Sequence, residues 1–173
     1  MTRTFTVCWD KIVRWTTLIA TPLLLGAMAL LIRDIHSQTL PPYGGYFLFI
    51  LVMSIMLWAV CNAPRKIELR DNAIVLRKLV GRKTIPLTEI TGIQPYRSTT
   101  ATARLWGSGG FFGYTGWFAN KELGTFFAYA GDMKEAFVVS TPRRTYLFSC
   151  ADRDAFVAAL REKLAQRGHT GTV

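Results

Sequence analysis

The sequence predicts a membrane α-hairpin followed by an all-β domain, in which a strongly bent antiparallel sheet, or partly open barrel, of about seven strands is capped by a C-terminal α-helix. Three observations predict this arrangement. Two long apolar blocks without a charged residue lie in the first part of the 173-residue chain. Beyond them, short alternating segments are separated by turn residues, which is typical of strands. The final segment instead repeats its apolar residues at helical spacing.

The two apolar blocks are long enough to cross a bilayer. The first, WTTLIATPLLLGAMALLI, covers residues 15–32, and the second, YFLFILVMSIMLWAVC, covers residues 46–61. At about 1.5 Å per residue the first block would form a helix of roughly 27 Å, close to the hydrocarbon thickness of a membrane. We therefore predict spans at residues 15–33 and 44–63, within an N-terminal unit of residues 1–64.

Two other interpretations of these blocks are weaker. A cleaved signal peptide would need a short apolar run and a small-residue cleavage pattern, and neither is found before Arg33. A pair of buried soluble helices would need a core around each of them, because apolar residues cover every face of both blocks. The rest of the chain is too short to enclose them.

Basic residues near the predicted spans indicate their orientation. The loop between the spans carries only Arg33, beside Asp34. Three cations precede the first span and three follow the second: Arg3, Lys11, Arg14, Arg65, Lys66 and Arg70. Since Lys and Arg accumulate on the cytoplasmic side of membrane proteins, both termini are predicted to be cytoplasmic.

The region after the spans is strongly basic. Residues 63–173 contain 17 Lys and Arg and 9 Asp and Glu, a net charge of +8. Such a charge raises the question of nucleic acid binding. For a domain held beneath an anionic membrane, lipid headgroups are the nearer partner, at about 1 kcal/mol per juxtamembrane cation. We expect the bilayer rather than nucleic acid to be the charged partner, and a protein partner or a second copy of the chain stays open.

Short strands separated by turns are predicted between residues 65 and 149. Six segments have strand-like alternation and β-branched or aromatic content: KIEL (66–69), AIVLRKL (73–79), KTIPL (83–87), GTFFAYA (124–130), AFVVS (136–140) and TYLFS (145–149). A short helical turn is predicted at Leu87 to Glu89. No segment is long enough for a helical crossover, so an antiparallel sheet is expected.

An amphipathic helix is predicted at the end of the chain. Ser149 and Asp152 have the spacing of a capping box, with Ser149 as the N-cap. Phe156, Val157, Leu160 and Leu164 fall on one face and would cover the open end of the bent sheet. The β-rich domain is thus predicted to span residues 65–166, followed by a flexible tail at residues 167–173.

The order of these segments resembles that of a known family. RKIELRDNAIVLRKLVGRKTIPLTEITGI (65–93) is similar to the opening of bacterial pleckstrin-homology-like (PH-like) domains, where a hairpin precedes a strand that ends in an IPLSEI-type turn. The run that begins GSGGFFGYTGWF (107–118) resembles small bacterial membrane proteins that join two spans to such a domain. The resemblance covers roughly residues 65–165. It implies a PH-like fold and a place in the bacterial cytoplasmic (inner) membrane.

The stretch RLWGSGGFFGYTGWF (104–118) combines five glycines with six aromatic residues. It lacks the third glycine and the following helix of a dinucleotide-binding loop. In one interpretation the glycines let a strand bend while the rings fill a core. In the other, a protruding hairpin places its rings in a membrane interface or against a partner. The candidate surface consists of Arg104, Trp106, Phe111, Phe112, Tyr114, Trp117, Phe118 and Lys121.

A second candidate surface is the basic turn LRKLVGRKTI (76–85). Its cations form a candidate patch for anionic headgroups: Arg77, Lys78, Arg82 and Lys83. In phosphoinositide-binding PH domains a basic first loop holds the phosphates, whereas this cluster lies on the second predicted turn, so the resemblance to bacterial PH-like domains does not assign that site to these residues. A solvated basic face is the other interpretation.

The sequence predicts a protein that is not an enzyme and has no metal or cofactor. Its cysteines, Cys8, Cys61 and Cys150, are scattered and lack the spacing of a zinc site or a disulfide framework. The histidines, His36 and His169, fall in a predicted loop and in the tail, so neither is expected to activate Cys150 as a nucleophile. No G-x-S-x-G, H-E-x-x-H or P-loop motif is present.

These features predict a membrane-anchored binding or scaffold module. It would act at the cytoplasmic face of the membrane and interact with a protein partner or with anionic lipid headgroups. The alternative is a non-catalytic subunit of a lipid-modifying or transport complex. The apolar blocks contain no ionisable group for a proton or ion relay, which argues against transport by this chain alone.

Overall fold

A computed structural model describes residues 2–37, 42–97 and 100–170. Helices α1 (Lys11–His36) and α2 (Pro42–Cys61) are both long and apolar enough to cross a membrane. Only 11% of each apolar window is buried, so these are not the core helices of a soluble domain. Helix α1 begins before the first apolar block because Asp10 caps it: its Oδ1 accepts the Val13 N–H at 2.6 Å. Residues 38–41 of the predicted outer loop lie outside the described residues.

Ten strands are found in the described residues, and they form two open sheets with the orders β1-β2-β3-β4 and β5-β9-β10-β8-β7-β6. The strands are β1 (Arg3–Thr6), β2 (Pro64–Leu69), β3 (Ala73–Lys78), β4 (Arg82–Pro86), β5 (Gly92–Pro95), β6 (Ala103–Gly109), β7 (Tyr114–Asn120), β8 (Gly124–Ala130), β9 (Ala136–Ser140) and β10 (Thr145–Ser149). A 3-10 turn, Leu87–Glu89, follows β4, and helix α3 (Arg153–Thr170) ends the described chain. The predicted fold class is confirmed, with sheets that stay open rather than closing into a barrel.

Strand β1 ties the segment before α1 to the β-rich domain. It pairs antiparallel with β2, with Phe5 opposite Ile67. The Phe5 ring also meets the Phe156 ring of α3, with centroids 5.1 Å apart. Since β1 precedes α1 and β2 follows α2, the helical hairpin is inserted between two neighbouring strands of one sheet. This connection at both ends fixes the domain beneath the helices.

The six-stranded sheet contains one parallel pair, β8 with β10, in which Leu147 lies opposite Ala128. The antiparallel prediction does not hold for this pair. Strand β9 takes the place of the helical crossover that parallel neighbours usually need. After β8 the chain forms β9 one position further out, and β10 then returns to fill the gap between them.

The main core lies where the two sheets and α3 meet. Phe137, Phe148 and Phe156 are fully buried there, and the Phe137 and Phe156 rings stack at 4.8 Å. The predicted apolar face of α3 is confirmed, since Val157 and Leu160 are also buried and Leu164 packs against the same cluster.

The predicted capping box is wrong. Asp152 is the residue that caps α3, because its Oδ1 accepts the Ala155 N–H at 3.2 Å. The Ser149 hydroxyl instead accepts the N–H groups of Gly131 and Asp132 at 2.8 and 3.3 Å. It therefore holds the turn after β8. The predicted tail is described as far as Thr170, where α3 ends, and residues 171–173 lie outside the described residues.

A largely buried carboxylate lies on β2. The Glu68 side chain is 9% exposed and binds two arginines, Arg70 through Nη2 at 2.8 Å and Arg77 through Nε. The Arg77 and Arg70 guanidinium groups together hold the pKa of Glu68 below its usual value. Arg77 therefore serves the first sheet rather than standing free for a ligand.

We expect Glu68→Gln to lower the free energy of unfolding at pH 7 by about 1–2 kcal/mol, because a charged partner of two half-exposed arginines is lost. The pKa of Glu68 is lower in the folded chain than its ordinary value of 4.5. Its contribution is thus complete above pH 4.5 and is lost as the pH falls through the folded pKa. Denaturant unfolding of the full chain in detergent should show a wild-type advantage that shrinks on acidification. A constant advantage at every pH would indicate packing rather than charge.

Candidate membrane-facing site

Strands β6 and β7 and the turn between them form a hairpin, the β6–β7 arm (residues 103–120), that reaches α1. At its tip the Phe112 N–H donates to Thr17 Oγ1 at 3.0 Å, and the Phe112 ring meets the Trp9 ring edge-on at 6.0 Å. Lower down, Thr115 Oγ1 donates to the carbonyl of Asn62, just past α2, at 3.5 Å. The arm is thus attached to both candidate spans at the ends nearest the domain.

Two opposed glycines let the arm bend. Gly107 and Gly116 are register partners and both have positive φ, 109° and 141°. A Cβ on Gly107 would lie 2.2 Å from the Thr115 carbonyl oxygen, and one on Gly116 would lie 2.1 Å from the Trp106 carbonyl oxygen. Only glycine fits at either position, because both the backbone conformation and the space exclude a side chain.

Asp10 joins the arm to α1. While one carboxylate oxygen caps the helix, Oδ2 accepts a hydrogen bond from the Tyr114 hydroxyl at 3.1 Å. The Asp10 N–H donates to the Gly131 carbonyl at 2.9 Å, so the same residue also holds the turn after β8. Burial, with the nearby Asp10 charge, raises the pKa of Tyr114 to about 12. The phenol therefore keeps its proton and donates at neutral pH.

Removing this link should loosen the arm. We expect Tyr114→Phe to lower the free energy of unfolding by about 1–2 kcal/mol, since a carboxylate then loses a donor. Because the folded pKa is raised above the ordinary value of 10, the wild-type advantage should persist below pH 10 and fall as the pH rises toward 12. A matched control is Tyr43→Phe, whose ring is 89% exposed at the far end of α2. Equal stability of the two variants would contradict this role for Tyr114.

The aromatic residues of the arm differ in exposure. Trp106 is 73% exposed and Phe118 is 4% exposed, in the core on the far side of the six-stranded sheet. Phe111, Phe112, Tyr114 and Trp117 are half-buried. Arg104 and Lys121 are exposed. The structure brings Arg104, Trp106 and Phe111 together beside the candidate spans, whereas Trp117 packs on Phe127 and lies near the Arg144 guanidinium.

The four cations of the basic turn do not converge. Arg77 and Arg82 are cross-strand partners, but Arg77 is bound to Glu68. Lys78 Nζ donates to Asn62 Oδ1 at 2.8 Å, and Lys83 Nζ lies 5.5 Å from the centre of the Tyr146 ring. Among the described residues, Arg82 is the one cation of this turn that makes no comparable contact with a carboxylate, an amide or an aromatic ring.

Exposed apolar residues on the domain lie level with the ends of the helices. In the β3–β4 turn, Leu79 and Val80 are 40% and 59% exposed, and their N–H groups donate to the carbonyls of Ala63 and Cys61 at 3.0 Å. In the arm, Leu105 is 58% exposed next to Trp106. The β3–β4 turn and strand β6 thus both place apolar side chains near the helix ends.

A cationic cleft lies on the same level. It has a volume of about 410 Å³ and is lined by the segment after β1, the first turns of α1 and the start of β2. Arg14, Arg65 and Lys66 contribute its charge, and none of the described residues that line it is acidic. All three cations are exposed. In the sequence these cations indicate only the orientation of the spans, because the pairing of β1 with β2, which places Arg14 near Arg65 and Lys66, has no local sequence signal.

The most reactive side chain considered from the sequence, Cys150, is inert. It is 1% exposed, and burial raises the pKa of its thiol to about 12. It is therefore protonated at neutral pH and shielded from substrate. His36 lies in the last turn of α1, at the end of the helix away from the domain.

Residues 65–164 match the family model described as "Bacterial PH domain". This match covers more than half of the chain, so the chain belongs to that family, whose domains are generally non-catalytic. No curated protein and no solved structure was found to match.

Proposed function

Because the chain belongs to the bacterial PH domain family, we propose that it is a membrane-anchored binding module whose domain lies against the cytoplasmic face of the bacterial inner membrane and binds anionic lipid headgroups. The cationic cleft of Arg14, Arg65 and Lys66 carries this proposal. Its cations lie at the helix ends, where headgroups meet the protein. Each juxtamembrane cation contributes about 1 kcal/mol of attraction to an anionic surface.

The exposed apolar residues support the same placement. Four exposed apolar side chains lie at the same height as the helix ends, where contact with water would be unfavourable. The boundary between headgroups and acyl chains suits them better: they are Leu79, Val80, Leu105 and Trp106. The cations before α1 and after α2 favour the cytoplasmic side for both termini. The pairing of β1 with β2 also holds the domain next to the helix ends.

The orientation is tested by labelling thiols in intact cells with a membrane-impermeant reagent. Cys8 is exposed at the domain end of α1, and His36→Cys introduces a thiol at the other end. We expect external reagent to label position 36 and to reach Cys8 only after the cells are opened. Labelling of Cys8 from outside, with position 36 protected, would reverse the orientation.

Headgroup binding is tested by thermal unfolding of the full chain in neutral detergent. Phosphatidylglycerol should raise the Tm more than phosphatidylcholine, because a ligand that binds the folded state stabilises it. Arg14→Gln/Arg65→Gln/Lys66→Gln should lose most of this difference. The control, Lys134→Gln/Arg143→Gln/Arg161→Gln, removes the same charge from exposed positions outside the cleft and should keep it. If phosphatidylglycerol raised the Tm of both triple variants equally, a headgroup site in the cleft would be contradicted. If the Tm of the wild type did not depend on lipid charge, a protein partner would be favoured.

A further inference from the structure

A second and larger concavity lies between the helices and the arm. This interspan groove has a volume of about 640 Å³, within the range of small-molecule sites. Thr16, Ser54 and Trp58 line it from the helices, and Arg104, Trp106 and Phe111 line it from the arm. It is therefore separate from the cationic cleft, with which it shares none of its lining residues.

The groove extends to the depth of acyl chains. Ser54 lies seven residues before the end of α2 at Cys61, which is about 10 Å along the helix axis. Ile55 and Trp106, which also line the groove, are 59% and 73% exposed, so its walls face outward. In a bilayer this opening would face lipid directly.

Charge within the groove is confined to the arm. Among the described residues that line it, Arg104 is the only one with an ionisable side chain. Its guanidinium folds back over Gly109, where an added Cβ would lie 2.8 Å from Nη1. The strand register shifts between Arg104 and Trp106, next to this contact. An exposed guanidinium beside an apolar channel suits a phosphate attached to a hydrocarbon chain.

The geometry points to a single anionic phospholipid as the occupant of the interspan groove. Its phosphate binds Arg104, and one acyl chain lies between Trp58 and Ile55 of α2 and Trp106 of the arm. Cations beside membrane helices on the cytoplasmic side are known to bind lipid headgroups, and Arg104 supplies one such cation here. The inference rests on the proposed membrane placement. Because it uses other residues than the cleft, an experiment can disprove one site without disproving the other.

Native mass spectrometry of the full chain, extracted in mild detergent, tests the groove. The wild type should retain one phospholipid in the groove, in addition to any lipid that the cleft holds. Ser54→Phe, which fills the groove, should reduce retention on the order of tenfold, and Leu57→Phe, which places the same ring on an exposed position of the same helix outside the groove, should not. Arg104→Gln should also weaken retention on the order of tenfold, through loss of a charge-assisted contact, whereas Arg143→Gln should not.

Three outcomes would overturn the inference. The first is equal lipid retention by Ser54→Phe and Leu57→Phe. The second is displacement of the lipid by inorganic phosphate or glycerophosphoglycerol alone, since the site would then recognise only the headgroup. The third is a dimer mass that Ser54→Phe abolishes, since a second copy would then fill the groove. The cleft triple variant should keep its one phospholipid, and Ser54→Phe should keep the Tm response to phosphatidylglycerol; each result separates this site from the cleft.

Discussion

Gly116→Ala is expected to lower the free energy of unfolding by about 3 kcal/mol or more, and to detach the β6–β7 arm from α1. The new Cβ would lie 2.1 Å from the Trp106 carbonyl oxygen, in a residue with a φ of 141°. Since the obstacle is backbone, it cannot move aside as a flexible side chain would. The measurement is denaturant unfolding of the full chain in detergent, with hydrogen exchange of residues 103–120 reporting the arm.

Gly124→Ala is the matched control for this substitution. Gly124 also has a positive φ, 64°, but nothing lies within 4 Å of its ideal Cβ. Alanine there meets only the cost of a left-handed backbone, about 1–2 kcal/mol. If the two variants were equally stable, the close crossing of Gly107 and Gly116 would contribute nothing beyond backbone conformation.

Phe156→Ala is expected to lower the free energy of unfolding by about 3–5 kcal/mol, because it leaves a cavity where α3 packs against both sheets. Its ring is fully buried between Phe5 of β1 and Phe137 of β9. The loss should release β1 as well as α3, and β1 is the element that connects the domain to the start of α1. Hydrogen exchange of β1 and α3, together with the unfolding free energy, measures both effects.

Trp106→Ala provides the comparison for Phe156→Ala. It removes a larger ring from a site that is 73% exposed, so in detergent we expect a change of about 0.5 kcal/mol or less. If Trp106→Ala were as destabilising as Phe156→Ala, Trp106 would belong to the core rather than to a membrane-facing surface.

Much of the fold follows from local sequence patterns. Strands β8, β9 and β10 occupy the predicted segments, because each alternates between two buried clusters and ends at a turn. The buried face of α3 follows from its spacing. The turn residues Asp71-Asn72 and Gly81 lie between the paired strands of the β2–β3 and β3–β4 hairpins.

Long-range pairing was not readable in the same way. Strand β1 is only four residues long and depends on β2, which follows it in sequence by more than fifty positions. The insertion of β10 between β8 and β9 leaves no local signal either. The bond between Asp10 and Tyr114 and the convergence of Arg14 with Arg65 both depend on β1. These features of the candidate site therefore had to come from the structure.

The depth of the apolar residues around the helix ends tests the membrane-facing placement most directly. Spin labels at Val80→Cys and Leu105→Cys, in a background with the three native cysteines replaced, are measured in phosphatidylglycerol-containing vesicles by accessibility to oxygen and to a water-soluble nickel complex. We predict that both positions favour oxygen, as lipid-immersed sites do, while Arg143→Cys favours nickel. Nickel access at positions 80 and 105 equal to that at 143 would show that the domain stands away from the bilayer, and would contradict the membrane-facing placement of these residues.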